Sequence, residues 1–285
     1  MTTAAGSALP VRVRAALRCP LCAESLAAES GAVRCTHGHA FDIAKQGYVN
    51  LLTGKGAPGS SDGMEMVRAR QTFLASGHYA PLARMLVEQL PELGDGLVLD
   101  AGCGTGYYLR AVLDANPDAV GLAGDAAKNA VRSATSGAPR IGGAVFDIWQ
   151  GLPVQSGSVA AVLNVFAPRN PREFHRVLTV GGALLVLTPT SAHLAELVDR
   201  LGLLSVEQGK LRRADAELTP LLYPAGREQL RFTMRLTHAE IAALVGMGPT
   251  ARHLPEDTMR GRIADLAEPV EVAAEVVLSV YRRRG

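Results

Sequence analysis

The chain has 285 residues, which is enough for one large domain or two modest ones. Hydrophobic residues make up 48% of it and support a packed core, while the net charge of +2 neither requires nor excludes a nucleic-acid partner. The sequence has no run of 18 apolar residues, and residues 1–18 lack a signal-peptide layout, so we expect neither a transmembrane helix nor secretion.

The first motif after this N-terminal tail has the spacing of a metal site, C-x2-C-x12-C-x3-H, formed by Cys19, Cys22, Cys35 and His39. Thiolate and imidazole are the ligands that zinc prefers, and a closed tetrahedral site needs four of them. His37 is the alternative fourth ligand, but its spacing from Cys35 is short for two ligands of one ion, which favours His39. We therefore predict one structural zinc ion in a module over residues 19–52. Reduced thiols in such a site predict a cytoplasmic protein.

Residues 53–63 are rich in glycine and serine, and they predict a flexible linker. A helix follows, with Asp62 as its N-cap and Glu65 at the third helical position, and Gly77 ends it. A second helix, with leucine and methionine residues at helical spacing, runs to Pro91.

From residue 97 onward, short apolar strands alternate with helical stretches, which predicts a parallel sheet covered by helices on both faces. One helix begins after the N-cap Asn170, with Pro171 and Glu173 in its first turn. Another begins after Thr237, with Glu240 at the third position. The predicted strands cover residues 97–100, 119–123, 143–146, 160–163, 183–187, 230–236 and 272–280.

The first of these strands runs into a glycine-rich turn with the pattern D-x-G-x-G-x-G. Glycines let the backbone turn sharply and approach a ligand at the carboxyl end of a strand. A dinucleotide fingerprint would need glycine where Tyr107 stands, and the G-K-[ST] ending of a P-loop is absent. The turn resembles the first motif of the S-adenosylmethionine-dependent methyltransferases with the Rossmann-like fold. This resemblance assigns cofactor binding to Asp100, Gly102, Gly104, Thr105 and Gly106.

Two further acids follow the next two strands. Asp125 ends the second strand, where a carboxylate can accept hydrogen bonds from ribose hydroxyls; the alternative is an ordinary cap of the next helix. Asp147 ends the third strand, where an acid commonly holds the adenine amino group in this fold; the alternative is an ordinary surface acid. Cys103, inside the glycine turn, is predicted to be a small packing residue without a metal role.

Asn164 stands at the end of the fourth strand, where this fold presents residues to the methyl acceptor. The Asn-Pro-Pro-aromatic motif of many methyltransferases that act on exocyclic amines is absent, which favours a ring nitrogen as acceptor. We expect Asn164 to hydrogen-bond the edge of the acceptor base; the alternative is a turn residue at a strand end.

Several segments together make the resemblance specific. From about Leu17 to the C-terminus, the chain resembles the large-subunit (23S) ribosomal RNA guanine-N1 methyltransferases. Within them it is similar to the actinobacterial branch that confers tylosin or mycinamicin resistance. The segments that carry the resemblance are residues 19–22, 35, 39–42, 45–52, 76–82, 164–168, 188–189 and 193–194.

The resemblance implies a class I methyltransferase domain over residues 64–285, with a mostly parallel seven-stranded sheet, S-adenosylmethionine as cofactor and one structural zinc ion. It implies cofactor contacts from Tyr79, the Thr105-Gly106 turn and His193; without it, Tyr79 is a core aromatic and His193 a surface residue at a helix start. It implies methyl transfer to guanine N1 in a 23S rRNA hairpin near the peptide exit tunnel. Our own hypothesis is that Asn164 contacts the guanine edge. The resemblance also implies no membrane or DNA partner, and it allows a homodimer.

Two other classes of protein remain alternatives at this stage. A methyltransferase of small molecules would show no salt-dependent affinity for RNA. A non-catalytic RNA-binding protein on the same fold would have no need of an intact glycine turn. Basic residues near the module are candidate contacts to RNA phosphates, namely Arg12, Arg14, Arg18, Lys45, Arg68 and Arg70.

Overall fold

The computed structural model describes residues 9–54, 63–205, 207, 209–248 and 255–284. Most of the linker predicted over residues 53–63, including the Asp62 cap, lies outside the described residues. The helix that follows begins at Met64, with Gly63 in the N-cap position. Among the described residues, no helix is long and apolar enough to cross a membrane.

The N-terminal part of the chain contains a short helix and a small antiparallel sheet. The helix is α1 (Val11–Ala16). The sheet comprises β1 (Ala27–Glu29), β2 (Ala32–Arg34) and β3 (Ala40–Asp42), in that order. A further strand, β4 (Tyr48–Asn50), follows.

The rest of the described chain alternates helices with the strands of a large sheet. The helices are α2 (Met64–Ala75), α3 (Ala80–Glu88), α4 (Tyr107–Ala115), α5 (Lys128–Thr135), α6 (Pro171–Val177), α7 (Ala195–Leu201), α8 (Lys210–Leu218), α9 (His238–Gly246) and α10 (Glu256–Ala264). The strands are β5 (Leu97–Ala101), β6 (Val120–Asp125), β7 (Ile141–Val145), β8 (Val159–Val165), β9 (Leu178–Pro189), β10 (Leu222–Leu236) and β11 (Val270–Arg283).

The large sheet has eight strands in the order β10-β11-β9-β8-β5-β6-β7-β4. All neighbours pair in parallel except β11, which is antiparallel to both β9 and β10. Every residue of β5 and β7 is buried, as expected for apolar strands covered on both faces. The edge strand β10 begins eight residues before the predicted start at residue 230, and its exposed, charged middle suits a sheet edge.

The residues expected to form a tail contain a helix that is part of the core. Val13 and Leu17 are fully buried, in one hydrophobic cluster with Leu122 of β6 and Phe174 of α6. A Cβ atom at Gly142 of β7 would lie 2.7 Å from a Val13 methyl group, so the glycine lets α1 approach the strand. The prediction of an N-terminal tail over residues 1–18 is therefore wrong for residues 9–18, because α1 packs on the sheet.

The zinc module also contributes a strand to the large sheet. Tyr48, Val49 and Asn50 of β4 pair with residues 143–145 of β7 in parallel register. The Leu51 amide donates to the Val145 carbonyl at 2.9 Å and extends this pairing. The seven predicted strands are all present, and β4, predicted to belong to a separate module, is the eighth strand of the sheet.

Helix caps follow the sequence closely. The Asn170 side chain accepts a hydrogen bond from the Glu173 amide, with proline in the first turn of α6. Thr237 and Glu240 form a reciprocal capping box at the start of α9. The last residue of α2 is Ala75, and Gly77 follows with φ of +81°, as expected of a glycine that ends a helix.

The strand order creates a crevice at the carboxyl ends of β5 and β8. After β5 the chain continues to β6 and β7 on one side, and it then crosses to β8 on the other. In open α/β sheets, ligands bind in the crevice where the strand order reverses. The predicted cofactor and acceptor segments follow β5 and β8, so both lie at this position.

Candidate zinc site and glycine-loop cavity

Two tight turns bring the predicted zinc ligands together. In the first, the Ala23 amide donates to the Cys19 carbonyl at 2.9 Å. In the second, the Gly38 amide donates to the Cys35 carbonyl at 3.0 Å, and Gly38 has φ of +84°. The second turn folds the chain back so that the Cys35 amide donates to the His39 carbonyl.

The four ligand atoms have the spacing of a tetrahedral zinc site. The Sγ atoms of Cys22 and Cys35 are 3.7 Å apart, and His39 Nδ1 lies 3.4 Å from Cys35 Sγ and 3.5 Å from Cys19 Sγ. Tetrahedral Zn–S bonds of about 2.3 Å would place two sulfurs about 3.8 Å apart. Within the described ranges, this is the one group of three or more potential metal ligands, and it contains His39 and not His37. The donor set fits zinc, and with four protein ligands it leaves no open position for catalysis.

A cavity of about 340 Å³ opens at the carboxyl ends of β5–β8. We call it the glycine-loop cavity. Six of the residues predicted to bind the cofactor line it, and apolar side chains such as Leu74, Val165 and Met247 line the rest. The six are Tyr79, Gly102, Gly104, Thr105, Asp125 and Asp147.

The glycine turn and the acceptor segment meet at the cavity. Gly102 has φ of +92°, and a Cβ atom there would lie 2.4 Å from the Cβ of Ala167. Only glycine allows this approach. Gly104 has φ of +50°, and a Cβ atom there would meet the Arg70 side chain at 3.2 Å. The turn therefore exposes its backbone to the cavity while it packs against the segment after β8.

Asp100, which leads the turn, is a buried carboxyl group without a hydrogen-bond partner. It is 1% exposed, and neither of its oxygens has a partner among the described residues. Burial, with a smaller contribution from the charge of Asp125, raises the pKa of Asp100 to about 8. The group is therefore mostly protonated at pH 7, and it does not itself line the glycine-loop cavity.

Asp125 and Asp147 both bind backbone or amide donors. Asp125 accepts from the Gly104 amide at 3.0 Å and from the Ala127 amide at 2.9 Å, and so it joins the glycine turn to the start of α5. Asp147 accepts from the Trp149 amide at 3.0 Å and caps a short 3₁₀ turn. A carboxylate has about four acceptor positions, so these contacts are compatible with hydrogen bonds to a ligand. Their assignment to ribose and adenine remains a prediction.

Tyr79 and His193 form a buried pair whose hydrogen bonds fix the histidine tautomer. The Glu275 amide donates to His193 Nδ1 at 3.1 Å, and Nε2 lies 3.3 Å from the Tyr79 hydroxyl. Burial lowers the pKa of His193 to about 4, so the ring is neutral at pH 7 and carries its hydrogen on Nε2. Nε2 therefore donates to the Tyr79 oxygen, and the hydroxyl hydrogen is available to a ligand in the cavity that Tyr79 lines.

Asn164 is fully buried and holds two loops together. Its Nδ2 donates to the Ala101 carbonyl at 3.2 Å and to the Pro168 carbonyl at 2.7 Å. Its Oδ1 has no partner among the described residues. The amide nitrogen therefore fastens the segment after β8 to the end of β5, as the turn alternative expected. The predicted contact to a guanine edge rests on Oδ1 alone.

Some candidate phosphate contacts have partners inside the protein. Arg18 lies 3.7 Å from Glu173 and donates to the Leu152 carbonyl at 3.3 Å. Arg12 pairs with Asp95. Arg70 lines the cavity and donates to the Met247 carbonyl at 3.0 Å. These three arginines therefore support the fold or the cavity.

Two exposed aromatic residues at the cavity had no role predicted from the sequence. Trp149 is 67% exposed and Phe166 is 40% exposed, and both line it. Each lies two positions after a predicted site residue, Trp149 after Asp147 and Phe166 after Asn164. Their exposure could not be read from the sequence, because apolar residues next to strands are usually buried.

Comparison with known proteins gives full-length relatives. The family model described as RlmA, N-terminal, a zinc ribbon, matches residues 17–55. A putative 23S rRNA (guanine-N(1)-)-methyltransferase of Micromonospora griseorubida is 50% identical over 286 residues, which cover 93% of this chain and 97% of the relative. The 23S rRNA (guanine(748)-N(1))-methyltransferase of Streptomyces fradiae is 46% identical over 270 residues, which cover 93% of this chain and 96% of the relative.

Solved structures share the fold at low identity. The putative methyltransferase in a complex with the Haloferax volcanii Trm112 activator superposes with a TM-score of 0.52 at 18% identity, over 79% of this chain and all of that one. The YcgJ protein of Bacillus subtilis superposes with a TM-score of 0.52 at 15% identity, over 71% of this chain and 98% of that one. These structures support the methyltransferase fold, and the full-length relatives establish more. The chain belongs to the family of the 23S rRNA (guanine-N1)-methyltransferases.

Proposed function

We propose that this protein transfers a methyl group from S-adenosylmethionine to N1 of guanine 748 in 23S rRNA. The position is that in the name of the Streptomyces fradiae relative, which is similar to this chain over nearly its whole length. The observation that carries the proposal is the contact between Gly102 and Ala167, because it brings the glycine turn and the acceptor segment to one cavity.

The residues of the cavity fit this reaction. When bound, S-adenosylmethionine supplies a methyl group on a sulfonium, which is already a strong donor. The chain orients the reactants: the glycine turn offers backbone next to Asp125, and Tyr79 offers its hydroxyl. The apolar wall, including Val165 and Met247, limits water around the reacting atoms. Alignment in such a cavity supplies much of the rate of a transfer between two bound reactants.

The acceptor requires an opened RNA structure. Guanine N1 lies on the Watson–Crick edge and is hidden in a duplex, so the base must come from a loop or leave its stack. The bond from N1 to the methyl carbon forms as the bond from carbon to sulfur breaks, and the N1 hydrogen leaves as a proton. The zinc ribbon, joined to the sheet through β4, offers a fixed second surface for reading the shape of the RNA.

The proposed product explains a role in macrolide resistance of the tylosin or mycinamicin type. Methylation of N1 removes a hydrogen-bond donor and adds bulk at a base edge. In a hairpin near the peptide exit tunnel, that change would weaken the binding of a macrolide. An rRNA substrate is consistent with the predicted cytoplasmic location. The family resemblance also allows a homodimer, and light scattering of the purified protein tests that state.

The test is methyl transfer from tritiated S-adenosylmethionine to unmodified 23S rRNA, followed by nucleoside analysis. We expect label only as 1-methylguanosine, and none when guanine 748 is replaced by adenine. The Gly104→Val variant is the control, because a branched side chain in place of the Gly104 hydrogen blocks the turn. Label in any other nucleoside, or transfer to small molecules only, would refute the proposal.

A further inference from the structure

Phe166 combines two features that a fold normally avoids. Its φ is +52°, in the left-handed region that costs free energy for any residue but glycine. Its side chain is 40% exposed, although it is large and apolar. The backbone is held there, because the Phe166 amide donates to the Leu187 carbonyl of β9 at 3.2 Å. Strain of this kind persists where surrounding structure enforces it, and it concentrates at functional sites.

The ring belongs to an aromatic group at the glycine-loop cavity. Its centroid lies 6.3 Å from that of Tyr79 and 5.8 Å from that of His193, with interplanar angles of 42° and 37°. Tyr79 and His193 are buried and held by hydrogen bonds, so they support the Phe166 ring from inside the protein. The exposed part of Phe166 forms cavity wall.

The position in the sheet separates Phe166 from the nucleoside end of the predicted cofactor site. Asp125 and Asp147, the residues predicted to hold ribose and adenine, follow β6 and β7 on one side of β5. Phe166 follows β8 on the other side of β5, in the segment that meets the glycine turn through Ala167. Phe166 therefore lines the β8 side of the cavity, away from the acids predicted to hold ribose and adenine and next to the predicted acceptor segment.

We propose that Phe166 is the surface on which the target guanine stacks after it has left the RNA stack. The inference rests on the proposed function and names a residue for one of its steps. Stacking on an aromatic ring is available to any base, so Phe166 would position the guanine, while polar contacts to its edge would select it. The left-handed backbone at the end of β8 turns the chain out of the strand and presents the ring to the base.

A double-mutant cycle tests this proposal. The probes are two hairpins of 23S rRNA, one with guanine at position 748 and one with an abasic site there. The proteins are the wild type, Phe166→Leu and Phe166→Trp. The selectivity for the base is the dissociation constant of the abasic hairpin divided by that of the guanine hairpin. We expect this ratio to fall about 10-fold or more in Phe166→Leu, the scale of one lost base–aromatic stack. In Phe166→Trp, which keeps an aromatic ring, the ratio should stay at the wild-type value. The cost of extruding the guanine is common to all the proteins and cancels from the cycle.

Two controls make the result specific. Tyr223→Leu removes another aromatic residue, 39% exposed on the edge strand β10, and should leave the ratio unchanged. Phe166→Gly removes the ring and the backbone strain together. Its melting temperature should be no lower than that of Phe166→Leu, and it should still lose the selectivity for the guanine hairpin. Affinity for S-adenosylmethionine, measured by calorimetry, should change less than about threefold in each Phe166 variant.

Three results would overturn the inference. One is an unchanged ratio in Phe166→Leu. Another is full selectivity for the guanine hairpin in a folded Phe166→Gly protein. The third is a loss of cofactor affinity in Phe166→Leu as large as the loss of RNA affinity, which would assign the ring to the cofactor. If the wild type methylates guanine 748 neither in the hairpin nor in whole 23S rRNA, the proposed function fails, and that outcome is recognised before any variant is compared.

Discussion

The buried carboxyl group of Asp100 makes protein stability depend on pH in a predictable direction. Burial raises its pKa from 3.8 to about 8, so the folded state keeps this proton after the unfolded state has lost it. For an acid with a raised pKa, the contribution to stability is most favourable below about pH 4 and declines until about pH 8. Replacement by asparagine removes the titrating group while it keeps the shape.

The size of the effect follows from the shift. A change of the pKa from 3.8 to about 8 means that the folded protein is less stable above pH 8 than below pH 4 by an amount on the order of 5 kcal/mol. Between pH 4 and pH 6, the free energy of unfolding of Asp100→Asn should therefore rise relative to the wild type by about 2 kcal/mol. The amide adds buried donors of its own, but that cost is the same at each pH, so the slope identifies the carboxyl group.

The assay is urea unfolding of the cofactor-free protein, followed by circular dichroism at a series of pH values. Asp118→Asn, a change of the same kind at an exposed position, is the matched control. A difference between Asp100→Asn and wild type that stays constant from pH 4 to pH 8 would refute the reasoning. It would mean that Asp100 ionises in the folded protein as it does in water.

Three further changes test the zinc site, the N-terminal helix and the cofactor contact. Cys35→Ser should lower the zinc content below one ion per chain. It should also lower the melting temperature of the whole protein, because the zinc module supplies β4 to the large sheet. A full zinc content in elemental analysis would contradict this prediction. Val13→Ala should lower the free energy of unfolding by about 2 kcal/mol in the same urea titration, because Val13 is fully buried. Val11→Ala, at a residue 72% exposed, should lower it by less than about 0.5 kcal/mol. Equal effects would argue against a packed α1. Asp125→Ala should weaken S-adenosylmethionine binding by about 1–3 kcal/mol in calorimetry, because it removes a charged acceptor and loosens the Gly104 amide; unchanged affinity would remove Asp125 from the site.

Local features of the chain were predictable because their causes are local. The caps at Asn170 and Thr237 depend on side chains within three residues of the backbone they bind. The zinc ligands were predictable because two short turns suffice to bring Cys35 and His39 together. The strands of the parallel sheet were predictable because burial on both faces requires continuous apolar runs.

The contributions of the N-terminal part to the large sheet were not predictable. Helix α1 has six residues, too few for a helical period to show. Strand β4 has three residues, and its pairing with β7 joins parts of the chain that are far apart in sequence. Deletion of residues 1–52 would remove both elements and expose core residues such as Leu122, so it cannot separate RNA recognition from cofactor binding. Single substitutions are needed instead.

The candidate site was predictable in part. The glycine turn, Asp125 and Asp147 do line one cavity, as their places at strand ends suggest. The resemblance alone pointed to Tyr79 and His193, because a buried hydrogen bond between residues 114 positions apart leaves no local signal. The left-handed backbone of Phe166 and the hydrogen bonds of the Asn164 side-chain amide depend on tertiary packing, so they could be seen only in the structure.

The most direct test of the account is mass mapping of 23S rRNA from cells that lack the native modification. RNA is compared from cells that express the wild-type protein, the Gly104→Val variant, or neither. The account predicts one additional methyl group at N1 of guanine 748 with the wild-type protein, and an unmodified guanine in the other two. An unmodified guanine 748 with the wild-type protein, or a methyl group on another atom or nucleotide, would contradict it.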